Sequence, residues 1–102
     1  MLTVVAEICI KPGRRQAVLD AINTVIPLVL AEEGCHQYDA LVDHQAQVPW
    51  KHNSPDSIFM LEQWTSLRHL EQHQQAAHME THRARIKDDV QDVKILILEA
   101  AK

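Results

Sequence analysis

Between Ser57 and His82 the spacing of apolar residues changes from two to helical inside one unbroken run. Ser57, Phe59, Leu61 and Gln63 alternate with Ile58, Met60, Glu62 and Trp64, which is the pattern of a strand with two distinct faces. At Trp64–Ser66 the strand gives way to a helix, for which Ser66 is the natural N-cap. The helix carries four of the seven histidines and has an expected break near Gln75–Ala77. A glutamate and a tryptophan thus share a face with Ile58 and Met60, beside the start of a histidine-rich helix. A carboxylate on an apolar face is either paired or chemically employed, which makes this run the functional candidate.

The remaining segments supply what the run must pack against. Leu2–Ile10 reads as a strand, with Leu2, Val4, Ala6, Ile8 and Ile10 on one wholly apolar face. Lys11-Pro12-Gly13 ends it. A helix is expected from about Arg14 to Glu33, with Val18, Ile22, Val25 and Val29 as its buried stripe, Pro27 as a kink and Gly34 as its stop. A second strand covers Cys35–Asp43, with His36, Tyr38, Ala40 and Val42 on one face. A connection from about His44 to Asp56 follows. It is long for a small domain, and its Trp50 either covers a pocket mouth or packs on a second subunit. Asp92–Ala100 is the last strand, apolar on both faces through Val93, Ile95 and Ile97 and through Leu96 and Leu98.

The order β-α-β-β-α-β is the ferredoxin-like split βαβ arrangement, an α+β domain over residues 1–102 with an antiparallel sheet. Its strand order sets the first strand between the third and the fourth. Two helices cover one face of such a sheet, so the other needs a cover, and a second copy of the sheet is the simplest one. A homodimer is therefore expected.

Several function classes are disfavoured. A net charge of -4 and no basic stripe argue against nucleic acid. No apolar run approaches the ~18–20 residues of a membrane span, and the N-terminus reads as a strand, so a cytoplasmic protein is expected. Cys9 and Cys35 fall on non-adjacent strands and read as reduced, half-buried thiols. With two glycines in all there is no phosphate cradle and no dinucleotide fingerprint. His69/His73 and His78/His82 are i, i+4 pairs, but they stand nine residues apart, about 900° on a continuous helix, and so half a turn out of phase. Only a break between them, with His36 or Glu62 contributing, would bring them to one ion, and neither metal nor organic cofactor is expected.

Acid–base chemistry in an apolar pocket remains. Desolvation would raise the pKa of Glu62 beside Met60 and Trp64. His73 or His78 would serve as a base near neutral pH, and Tyr38 offers a hydroxyl. The alternatives at each position are structural: Trp64 as core, Glu62 paired with Arg68 or another arginine, the helix histidines as solvated polar residues.

The segments AEICIKPG, EEGCHQYD and DSIFMLEQWTSLRHLEQHQQAAHM resemble, end to end, the antibiotic biosynthesis monooxygenase family, and within it the small bacterial quinol monooxygenases. The resemblance implies dimeric α+β barrels with sheets packed face to face. It implies a cofactor-free oxidation of a bulky aromatic quinol or phenol to a quinone by dioxygen. It matches Glu62 and Trp64 to the family's E-x-W strand, His73 and His78 to its histidine positions and Tyr38 to the tyrosine after the G-C pair. Glu62, His73 and His78 are accordingly expected to be catalytic, and Tyr38, Met60 and Trp64 to wall the substrate pocket. Haem-degrading relatives carry an Asn in the first strand, where Ile8 stands here. Two other readings stand beside this one: a non-catalytic small-molecule-binding stress-response dimer, and an isomerase or lyase of a phosphorylated quorum-sensing signal served by Arg83, Arg85 and Lys87.

Overall fold

The computed structural model describes residues 1–102. The elements are β1 (Leu2–Ile10), α1 (Arg15–Leu30), β2 (Cys35–Leu41), β3 (Ser57–Trp64), α2 (Leu67–Gln75), α3 (Ala77–Ile86) and β4 (Val90–Leu98). The strands form one antiparallel sheet in the order β2-β3-β1-β4. This is the expected α+β topology, with β1 between β3 and β4.

Strand periodicity sets the core. The inward residues of β1 (Val4, Ala6, Ile8, Ile10) and of β3 (Ile58, Met60, Trp64) are buried against the α1 stripe of Val18, Ile22, Val25 and Val29. Register then places polar groups within that layer. Glu62 pairs with Val4 on one side and Tyr38 on the other, so the three share a face. The outer face is only half-buried at Val5, Phe59 and Leu61, and there Ser57 donates to Glu7 Oε2 at 2.9 Å.

The bounds of three elements differ from the sequence reading, β4 at its far end too, which is Leu98 rather than Ala100. Helix α1 continues through Pro27 but ends at Leu30, short of Glu33. The Glu32 N–H returns to the Val29 carbonyl at 2.9 Å and the Cys35 N–H to the Glu32 carbonyl at 3.2 Å, so residues 31–34 form a turn. Strand β2 stops at Leu41, after which the Asp43 carboxylate binds Lys51 at 2.9 Å and the Ser54 N–H at 3.0 Å, closing the loop on itself. Strand β4 begins at Val90, because a bulge at Cys9/Ile10 lets Ile10 pair with it.

The helical run is broken as the sequence suggested. Ser66 caps α2 through its Oγ, and Ala76 adopts extended backbone (φ −63, ψ 140) between α2 and α3. Gly34 (φ +83) is required twice over: its backbone is left-handed, and a Cβ there would collide with the His69 ring. The helices leave β4 uncovered. Val93, Ile95 and Ile97 on the helix side, and Leu96 and Leu98 on the other, are each about half exposed.

Candidate functional site

Between the sheet and the broken helix lies a cavity of about 270 Å³. Met60 and Ile8 from the sheet and Met79 and Ile86 from α3 give it apolar walls. Tyr38 and Glu62 lie on its floor, and His73, His82 and Arg83 reach it from the helices. Its open side is bounded by Val93 and Ile95 of the uncovered strand. Such a lining, mostly apolar with a few convergent polar groups, is what small-molecule sites share.

Glu62 is 6% exposed. Its hydrogen-bond donor is the Trp64 indole, Nε1 to Oε1 at 3.0 Å, two residues along the same strand face. No arginine pairs with it. Burial pushes its pKa from 4.5 to about 6; the indole opposes that shift and the Glu32 charge adds to it. Glu62 therefore exchanges a proton close to neutral pH.

His73 is 1% exposed and held on two sides by rings. Trp64 lies 4.7 Å away, centroid to centroid, and Tyr38 meets it edge-on at 5.5 Å. Its Nδ1 is 2.8 Å from Glu32 Oε2, and the same oxygen is 2.8 Å from His78 Nε2. One carboxylate thus joins two histidines across the helix break. Burial lowers the His73 pKa, partly offset by the Glu32 hydrogen bond and charge, which leaves a neutral imidazole at the cavity. Burial drives the Tyr38 phenol strongly upward, so it remains a hydroxyl donor.

Of the residues singled out by sequence, Tyr38, Met60, Glu62 and His73 meet at the cavity. Trp64, fully buried, stacks on His73 and hydrogen-bonds Glu62 rather than lining the cavity. His78 lies outside it, on Glu32, and lines a second cavity of about 280 Å³ between α1 and α3. The i, i+4 pairs are not the functional grouping. His69 bonds Ser66 Oγ at 2.8 Å, whereas His82 lines both cavities with a buried Nδ1 that has no hydrogen-bond partner. Trp50 is 86% exposed and lines no cavity.

Sequence reasoning missed Glu32 and His82. Glu32 stood at the tail of an expected helix, 41 residues from His73, with nothing local to mark it. His82 carried a signal, being three residues from Met79 on the helix face that meets the core. Both cysteines are free and half-buried, and burial pushes the Cys35 thiol to about 11, which leaves it protonated and unreactive.

The chain is similar to known proteins in sequence and in fold. The family profile described as antibiotic biosynthesis monooxygenase matches residues 1–85. The probable quinol monooxygenase YgiN of Escherichia coli is 50% identical over 101 residues, 97% of each chain. A crystal structure from Pseudomonas aeruginosa superposes with a TM-score of 0.81 at 31% identity, covering 99% of this chain and 94% of that one. A solved structure from Nitrosomonas europaea reaches 0.84 at 17% identity with both chains fully covered, a likeness of fold alone.

Proposed function

Because the chain belongs to the antibiotic biosynthesis monooxygenase family, we propose that it is a quinol monooxygenase that oxidises a bulky aromatic quinol or phenol to a quinone with dioxygen. The observation that carries this reading is the buried Glu62 carboxyl, poised near neutral pH on the floor of an apolar cavity next to His73. A deprotonated quinol is itself a reductant for dioxygen, so the protein need supply only a dry pocket, orientation and proton acceptors. The reaction balances without an outside reductant. One oxygen atom enters an open ring position, the other leaves as water, and all four electrons come from the substrate.

In this reading Glu62 and His73 take up the substrate proton, with His73 oriented by Glu32 and His78 assisting through the same carboxylate. Tyr38 and Met60 contact the substrate, and Trp64 holds both acceptors in place. The active form is a homodimer, two sheets packed face to face as an α+β barrel. The partner covers the apolar residues of β4 and closes the open side of the cavity, and Trp50 lies at that contact. No helix is long and apolar enough to cross a membrane, and we assign the reaction to the cytoplasm.

Arg83, on the helical wall of the cavity, favours one second reading: an isomerase or lyase acting on a phosphorylated ligand, which would need that cation and be indifferent to oxygen.

Oxygen uptake by metal-stripped, cofactor-free protein with a reduced naphthoquinol, corrected for the uncatalysed rate, tests the proposal. Saturable, protein-dependent uptake that falls in Glu62→Gln and His73→Ala is expected. Unchanged turnover in both variants would refute the residue roles. Tight binding without uptake would refute the reaction and leave a binding protein.

A further inference from the structure

We propose that Glu32, His73 and His78 form a binding site for one divalent first-row transition cation, with zinc as the reference ion. The inference goes beyond quinol oxidation and does not depend on it.

The donor set is two imidazole nitrogens and one carboxylate oxygen, a combination that suits zinc, iron(II) and their neighbours. The three donor atoms lie within 4.8 Å of one another, with Glu32 Oε2 2.8 Å from each nitrogen. Ligand atoms of a tetrahedral ion with bonds of ~2.0–2.1 Å sit about 3.3 Å apart. The two contacts to Glu32 Oε2 would each open by about half an ångström, and the two nitrogens, within 4.8 Å of one another, would settle to that same spacing to admit an ion.

The helix break creates this grouping. His73 and His78 are five residues apart, so on a continuous helix their directions would diverge by about 140°. The extended backbone at Ala76 turns α3 so that both rings reach one oxygen. The three groups are also held in place beforehand. His73 is wedged between Trp64 and Tyr38, and the backbone of Glu32 is pinned in the 31–34 turn by Val29 and Cys35. An ion loses less affinity to reorganisation where its ligands are fixed in this way.

Access is available from one side. The His78 side chain is 25% exposed and borders the cavity between α1 and α3, which has room for an ion and its waters. Three protein donors leave at least one coordination position for such a water. The protons now shared with Glu32 present no obstacle, because each neutral imidazole can carry its proton on the other ring nitrogen. Binding at His73 Nδ1 places that ring's proton on Nε2, so the proposed proton uptake by His73 belongs to the ion-free form.

Chelator-stripped protein titrated with zinc in competition with a chromophoric chelator tests the proposal. One ion per chain is expected, weakened by about tenfold or more in Glu32→Gln and in His78→Ala. The variant His44→Ala/His52→Ala, which alters the exposed β2–β3 loop, should bind as the parent does. Circular dichroism checks that each variant is folded. In the unmodified protein, zinc should shift the ring-proton resonances of His73 and His78 and leave those of His44 and His52 in place, a readout independent of any variant. Absence of binding at millimolar zinc, affinity unchanged in Glu32→Gln and His78→Ala, or shifts confined to the loop histidines would each overturn the site. None of these readouts requires turnover, so failure here is distinguishable from failure of the quinol reaction.

Discussion

Trp64 donates its indole N–H to the carboxylate of Glu62 at 3.0 Å, from two residues along the same buried strand face. The bond supports the charged carboxyl where burial opposes it. Trp64→Phe should therefore raise the Glu62 pKa further and destabilise the protein. Part of the loss is packing, which does not depend on pH. The part due to the bond, about 1–3 kcal/mol, belongs to the charged form. Denaturation at pH 5 and pH 8 separates the two, and a stability difference equal at both pH values would show that the indole does not hold the carboxylate.

Glu62→Gln should have opposite effects on stability and function. The folded protein holds the Glu62 proton more tightly than the unfolded chain, with a pKa of about 6 against 4.5. Stability from this group is complete below about pH 4.5 and is lost as pH rises through about 6. Glutamine keeps the acceptor for Trp64 and removes the titration. The variant should match the parent near pH 4 and exceed it by up to about 2 kcal/mol at pH 8, while quinol turnover falls. A stability difference that does not grow with pH would contradict the burial argument.

The two glycines offer a matched comparison. Both have positive φ, +81 at Gly13 and +83 at Gly34, but a Cβ at Gly13 meets nothing within 4 Å whereas one at Gly34 runs into His69. Gly13→Ala should cost about 1–2 kcal/mol, the backbone strain alone. Gly34→Ala should cost clearly more and disturb α2, whose first turn carries His69. Equal costs in urea denaturation would mean that the His69 ring moves aside freely.

Assembly through β4 predicts a separation of folding from association. Leu96 is 56% exposed, so Leu96→Asp should leave the fold of one chain nearly unchanged, within about 0.5 kcal/mol. In the proposed dimer the same change buries a charge and should yield monomers in sedimentation equilibrium. A variant that sediments as the parent does would exclude this face from the interface.

A period of two along β1 and β3, and a helical stripe along α1, are local properties of the chain, set by which side chains avoid water. They were enough to determine the buried face bearing Glu62 and Trp64, while local signals marked the Ser66 cap and the break near Ala76 and the order of elements implied the ferredoxin-like strand order. The site's second half is not local. Glu32 reaches His73 and His78 only because α1 unwinds at Leu30 and α3 changes direction at Ala76. No repeat in the sequence links residues so far apart. The sequence also made β4 apolar on both faces, but only the tertiary structure decided that the helices stop short of it. They pack over β2, β3 and the inward residues of β1, where the apolar stripe of α1 meets its matching surface, and β4, at the edge beyond them, is left about half exposed on both faces.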